Sequence, residues 1–310
     1  MARAIIVGAT GQDGTLLTTL LEKKNYSILG LGSTKALSRN MPHKPDPIDI
    51  SDFVAVENLI KTIQPDEIYH LAAVHHSSQD EIEDLPRLFA KSYRVNVLTL
   101  HNFLEAIRRF SPKTKLFYAA SSHIFGNPQS EPQDENTPMN PMNIYGITKA
   151  SGVSLCRMYR NCHNVFASVG IFYNHESWLR GEQFVSQKII RGALRCRDTP
   201  GYRLVLGNLS AEVDWGFAPD YVDAMQRILA LDEPDDFVVA TGEKHTVKEF
   251  VRIAFAEAGL NWQDYVDEKK DIITKDVRSL IGNPQKLKQR TGWTPSVSFP
   301  EMIKLIMKNS

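Results

Sequence analysis

Apolar residues recur along this chain in two alternating rhythms. Residues Arg3 to Val7 form a short apolar run closed by Gly8, and the stretch after Gly14, LLTTLLEKKNY, repeats leucine at helical spacing before charged residues end it. The pair reads as strand, glycine turn, helix. Further strand-like runs follow at SILGLG (27–32), DEIYHLAAV (66–74), KLFYAAS (115–121) and FASVGIF (166–172), with helix-like segments between several of them. This alternation predicts an α/β fold in which a doubly wound parallel sheet carries helices on both faces. Beyond Phe172 the rhythm loosens. A polar, turn-rich stretch including GNLSAEVDWG (207–216) precedes helical patterns at Tyr221–Leu231 and Val247–Gly259. We expect a first domain over 1–172 with a segment near 212–240 returning to it, and a smaller, partly interleaved C-terminal domain over 173–310. No internal repeat of roughly 20 to 50 residues is visible, which argues against solenoids and propellers.

Composition narrows the class. A chain of 310 residues that is 42% hydrophobic can bury a substantial core, which excludes a disordered or fibrous protein. Lys+Arg and Asp+Glu both number 36, so nothing in the balance advertises a nucleic acid or an anionic membrane, and any anion must be held by local geometry. The three cysteines, Cys156, Cys162 and Cys196, form no C-x-x-C pair; a disulfide framework or cysteine zinc site is not expected, and a reducing cytoplasm fits best. No stretch approaches the roughly 18 uninterrupted apolar residues of a membrane span. MARAIIVGAT lacks the long apolar run and cleavage site of a secretory signal.

The first chemical motif is Gly8-Ala9-Thr10-Gly11-Gln12-Asp13-Gly14. It sits between the first strand and the first helix, where a pyrophosphate meets backbone N–H groups and a helix N-terminus. Glycine is needed because a Cβ would block the close approach. The segment over 1–172 is therefore expected to be a Rossmann domain that binds a dinucleotide. NAD sites usually place an acidic residue about 20 residues further on, but Gly32, Ser33 and Thr34 stand there. Lys35 and Arg39 are candidates to neutralise a 2′-phosphate, which favours NADP slightly over NAD.

The second motif is Tyr145-Gly146-Ile147-Thr148-Lys149, whose i, i+4 spacing puts phenol and ammonium on one helix face. The lysine cation is expected to lower the tyrosine pKa, so that the phenol acts as acid or base on a sugar hydroxyl while the ammonium binds the nicotinamide ribose. Ser121 and Ser122 end the strand KLFYAAS at the ligand-facing edge of a parallel sheet, where a hydroxyl can polarise the same oxygen.

With these motifs the chain resembles the extended short-chain dehydrogenases/reductases and, more closely, the GDP-mannose 4,6-dehydratase family. The similarity runs nearly end to end. It is carried by GATGQDG (8–14), QPDEIYHLAA (64–73), YGITK (145–149), NHES (174–177), RGEQFV (180–185), GNLSAEVDWGFAPDYVDAM (207–225), DEPDDFVVATGE (232–243) and GWTPSVSF (292–299). The resemblance implies a nicotinamide that takes hydride from C4 of a nucleotide-linked hexose, loss of water across C5 and C6, and return of the hydride to C6. It assigns Tyr145 as the C4 base, Lys149 as its helper, and Ser121 to the place of a hydroxyl residue that is usually threonine. His175 and Arg180 match cofactor contacts, while Asp49-Ile50 and Leu71-Ala72-Ala73 match the segments beside the adenine and pyrophosphate.

The departures are as informative. The family's glutamate, which removes the C5 proton and assists water loss, falls where this chain has His123. Imidazole, with an unperturbed pKa of about 6.5, can shuttle protons but cannot reproduce a carboxylate's charge. Ser33 and Thr34 replace the family's paired arginines, and Glu212-Val213 replace the Lys-Arg before Asp214-Trp215-Gly216. Lys188, Arg191 and Arg278 remain as candidates for the diphosphate, and Ser122, His76, Asn174 and Glu182 complete the candidate substrate contacts. His75 and His76 with His123 do not make an expected metal site, because no ligand falls at zinc spacing and vicinal histidines on a strand point to opposite faces; either can instead reach sugar hydroxyls.

The expected substrate is a GDP-linked sugar. Two alternatives stay open: a GDP-sugar C4 dehydrogenase, reductase or epimerase without dehydration, and a non-catalytic nucleotide-sugar sensor. The resemblance also implies association, as a homodimer or homotetramer, with the segments around Leu98 to Arg109 and Ala150 to Tyr159 as candidate dimer helices.

Overall fold

The computed structural model describes residues 1–32, 36–39, 48–75, 84–269 and 280–310. Along these residues run β1 (Arg3–Val7), α1 (Gln12–Lys23), β2 (Ser27–Leu31), β3 (Ala36–Arg39), α2 (Phe53–Ile63), β4 (Glu67–His70), α3 (Leu85–Tyr93), α4 (Thr99–Phe110), β5 (Lys115–Ser121), α5 (Ile144–His163) and β6 (Ala167–Phe172). There follow β7 (Asn174–Glu176), α6 (Val185–Asp198), β8 (Leu204–Leu206), β9 (Glu212–Val213), β10 (Trp215–Phe217), α7 (Ala218–Leu229), β11 (Asp236–Val239), β12 (His245–Thr246), α8 (Val247–Glu257), β13 (Val266–Glu268), α9 (Gln285–Thr291) and α10 (Phe299–Lys308).

Among the described residues, seven strands form one sheet in the order β11-β6-β5-β4-β1-β2-β3. All neighbours run parallel except the edge pair β2 and β3. Ile5, Ile6 and Val7 of β1 are fully buried on both faces, which is why the strand reads as an unbroken apolar run rather than an alternation. One face is covered by α2, α4 and α5, whose Leu59, Phe103, Leu104, Val153 and Cys156 pack on the sheet. The other face takes Leu17 and Leu21 of α1, Tyr221 and Met225 of α7, and Trp293. Burying each such leucine contributes about 1.5–3 kcal/mol. A third core lies among the later elements, where α6, α8 and α10 close around Trp215, Leu204 and Phe299.

The strand expected over 66–74 stops at His70. Its neighbour β1 ends at Val7, whose O accepts from Leu71 N–H at 2.8 Å, while on the other side β5 runs on to Ser121 without it. Leu71 to His75 leave the sheet as a loop, so the strand-face argument does not apply to His75. The order reverses between β1 and β4, each of which has the sequence-adjacent strand on its other side, so a crevice opens at their carboxyl ends.

Candidate active site

The crevice is a groove of about 1050 Å³ whose lining includes Gly8, Thr10, Gly11, Gly32, Leu71 and His75. Its near wall is backbone. A Cβ on Gly14 would lie 2.3 Å from Gly8 O and 2.6 Å from Ala9 Cα, so helix and turn touch only because it is glycine. On Gly11, which starts α1 without a side-chain cap, a Cβ would meet only Gly8 O, at 3.5 Å, so that face is open to the groove. Open space beside uncapped N–H groups of a helix end suits a pyrophosphate. A dinucleotide fits these residues.

Asp13 and Gln12 turn away from that space and join the turn to β7. Asp13 Oδ2 lies 3.0 Å from His175 Nε2, whose Nδ1 contacts Tyr173 O at 2.8 Å, and Gln12 Nε2 donates to His175 O at 3.2 Å. Burial opposes charge on both partners, yet their mutual attraction outweighs it: the Asp13 pKa is lowered and that of His175 is raised. These two expected cofactor contacts thus form a buried ion pair that anchors the turn. Arg180 lies 3.4 Å from Glu176 and stacks on Phe184 at 3.7 Å, close enough for its charge to act on Tyr145.

Asp49 and Ile50 line the groove, together with Lys91 and Arg94, which the motifs did not single out. Arg94 donates to Asp49 Oδ2 at 2.8 Å. Arg39 lies 3.0 Å from Glu22, so its charge is already matched before any 2′-phosphate arrives. Ser33, His76 and Arg278 lie outside the described residues.

At the other end α5 delivers Tyr145 and Lys149. The helix starts at Asn143, whose Oδ1 accepts from Gly146 N–H at 2.8 Å, a cap worth about 1 kcal/mol. Gly146 rests on the turn after β5, where a Cβ would come within 2.5 Å of His123 O. The Ser121 side chain acts on the Tyr145 phenol in favour of its ionised form, and its Oγ accepts from His123 N–H at 3.3 Å. The expected low phenol pKa is not found. Burial pushes Tyr145 up to about 12, with the Ser121 hydrogen bond and the Arg180 charge pulling against it. Burial also brings Lys149 down to about 7. Its Nζ donates to Ala119 O at 2.6 Å and lies 5.7 Å from the centre of the Tyr145 ring. The groups that favour the phenolate are Ser121 and Arg180 rather than Lys149.

Two imidazoles flank the same phenol. His75 meets the Tyr145 ring edge-on at 4.7 Å between centres, and His123 does so at 5.6 Å. His75 also packs against Phe184 at 5.3 Å. Its loop is tied to α5 through buried Asn96, which accepts from Val74 N–H at 2.8 Å and donates to Thr148 Oγ1 at 2.9 Å. Asn96 lies in a π-helical turn, Arg94–Leu98, of the kind that recurs at functional sites.

The remaining candidates fall less neatly. Ser122 is 4% exposed within the turn after β5, which leaves its hydroxyl little access to a ligand. Asn174 is exposed on β7, and Glu182 is exposed and lies 3.3 Å from Arg191, so this acid and this cation offset each other at the surface. Lys188 is half-buried on α6. Asn96 and Asn143 carry no motif signal, because each matters through a neighbour from a different loop.

Residues 5–306 match the family model described as GDP-mannose 4,6 dehydratase. The chain belongs to that family. It is 37% identical over 334 residues to "GDP-mannose 4,6 dehydratase 2" of Caenorhabditis elegans, covering 97% of this chain and 87% of the relative. Among solved structures, dTDP-glucose 4,6-dehydratase of Bacillus anthracis in complex with NAD superposes with a TM-score of 0.84 at 18% identity, covering 99% and 96% of the two chains. The Pseudomonas aeruginosa protein RMD complexed with NADPH gives 0.81 at 20%, covering 100% and 99%. The structural likeness is one of fold; the family membership rests on the sequence. Among the described residues no helix is long and apolar enough to cross a membrane.

Proposed function

We propose that this member of the GDP-mannose 4,6-dehydratase family is a nicotinamide-dependent lyase that removes water from a GDP-linked hexose, with GDP-mannose as substrate. The observation that carries this reading is Tyr145, which meets the groove-lining His75 at 4.7 Å between ring centres and has Ser121 acting on its phenol. A bound nicotinamide supplies the hydride acceptor for C4. The chain's own residues do the rest: the Gly8–Gly14 turn holds the pyrophosphate, Tyr145 takes the C4 hydroxyl proton, and Ser121 bonds the same oxygen. Lys149, tethered to Ala119 O, faces the nicotinamide ribose.

His123 stands where the resemblance puts the family's glutamate, so the dehydration step here belongs to imidazole rather than carboxylate. For the cofactor we propose NADP: Lys91 supplies a groove-lining cation, whereas Arg39 is held by Glu22 and Arg94 by Asp49. For assembly we propose a homodimer through α4 and α5, since Leu98, Ile147 and Met158 are exposed apolar residues on or beside these helices; native mass measurement checks it.

The deciding experiment is incubation with GDP-mannose, with the product expected to be lighter by one water. An unchanged mass with accumulating reduced cofactor would make the enzyme a C4 dehydrogenase instead. Tyr145→Phe should lower turnover by about 10²-fold or more, as loss of a proton-transfer group does.

A further inference from the structure

The amide that caps α5 decides what His123 can do. Asn143 Oδ1 accepts from Gly146 N–H at 2.8 Å, so its Nδ2 is the atom turned to His123 Nδ1 at 3.2 Å. An amide nitrogen only donates. His123 Nδ1 therefore accepts, and the ring's proton sits on Nε2. A second proton would have to enter at Nδ1, against the Asn143 N–H. His123 is held as a hydrogen-bond donor, the wrong form for a base.

His75 has the placement that His123's chemistry denies it. It is exposed along the groove, it meets the Tyr145 ring at 4.7 Å, and the Asn96 bridge from Val74 to Thr148 fixes its loop to the helix carrying that tyrosine. A hexose whose C4 oxygen lies at the phenol presents C5, one bond away, to this neighbourhood. We propose that His75 removes the C5 proton of the C4-oxidised sugar, and that His123 only donates a hydrogen bond through Nε2. This inference rests on the dehydratase reading above.

In the step, the C5–H bond breaks and its proton goes to His75. The electron pair forms the C5–C6 double bond as the C6–O bond breaks. The proton on His75 then leaves with the C6 oxygen as water, returning His75 to its neutral form. The C4 ketone that makes C5–H acidic comes from the preceding oxidation.

The test is carried out on whole enzyme with GDP-mannose in deuterated water. In His75→Gln, the C4-oxidised sugar and reduced cofactor should still form, while deuterium entry at C5 and water loss fall by about 10²-fold or more. In His123→Gln, whose amide nitrogen can stand in for Nε2–H, C5 exchange should fall by no more than about tenfold, the most that weakening one hydrogen bond costs. Exchange that survives in His75→Gln but vanishes in His123→Gln would overturn the assignment and return the base to His123. Loss of C4 oxidation in His75→Gln would also overturn it, by making His75 a structural support. If the wild-type enzyme forms no C4-oxidised sugar at all, it is the dehydratase reading that fails, and the inference falls with it.

Discussion

At the Gly8–Gly14 turn the groove wall is main chain, and what matters there is the absence of side chains: Gly14 lets α1 lie against the turn and Gly11 leaves the helix end open. Around Tyr145 the wall is made of side chains brought from three separate places, His75 from the loop after β4, His123 from the turn after β5 and Phe184 from the start of α6. The first region tolerates no exchange because a backbone contact has no alternative rotamer. The second can exchange one functional group for another while the fold stays the same.

The comparison breaks most visibly at Gly14. Gly14→Ala puts a methyl within 2.3 Å of Gly8 O and 2.6 Å of Ala9 Cα, backbone atoms that cannot swing aside. We expect a loss of about 3 kcal/mol in urea unfolding, the upper range for overpacking, together with loss of cofactor binding by titration. A stable variant that still binds would show that the turn has more freedom than its contacts imply.

This difference between regions also explains how much could be read in advance. The glycine spacing, the buried strands β1, β5 and β6 and the Tyr145–Lys149 spacing are local patterns, and each is legible in a few consecutive residues. The Asp13–His175 pair spans the chain between residues whose types are common, and only the fold brings them to 3.0 Å. The tyrosine pKa was misread for a related reason. Spacing places Lys149 near the phenol, but it does not reveal that burial dominates both groups or that Ala119 O takes the ammonium.

Lys149 gives the next largest effect. Its pKa falls from 10.5 to about 7 on folding, so between these values the unfolded chain binds a proton that the folded chain lacks. Stability should therefore rise with pH from about 7 to about 9, by at most about 1.4 kcal/mol per pH unit; above that the buried Cys156 and Cys196 thiols, which burial pushes up from 9.0, pull the other way. Above pH 10 the opposite shift of Tyr145, from 10.0 to about 12, adds to that reversal. In Lys149→Met the rise between about 7 and 9 should vanish, measured by urea unfolding at a series of pH values; a rise that persists would place its origin elsewhere.

Asn143→Asp sharpens the comparison at the side-chain end without disturbing the fold. Aspartate caps a helix about as well as asparagine, so stability should change by less than about 0.5 kcal/mol. A carboxylate, however, accepts where the amide donated. The His123 proton should move to Nδ1, and the ¹⁵N shifts of the two ring nitrogens should exchange character in histidine-labelled protein. Unchanged shifts would mean that Asn143 does not set the tautomer.

The smallest effect is expected at Arg39, where the backbone-built end of the groove meets solvent. Its side chain is 58% exposed and its partner Glu22 38%, and an ion pair so open to water contributes at most about 1 kcal/mol. Arg39→Ala should leave the melting temperature nearly unchanged and shift the NADPH-to-NADH affinity ratio by less than about threefold, within 1 kcal/mol. Lys91→Ala should shift that ratio further, because Lys91 lines the groove beside Arg94. A larger shift at Arg39 than at Lys91 would mean that the arginine leaves Glu22 for the ligand, and that this end of the groove, like the proton-transfer corner, is selected by side chains as well as shaped by glycine.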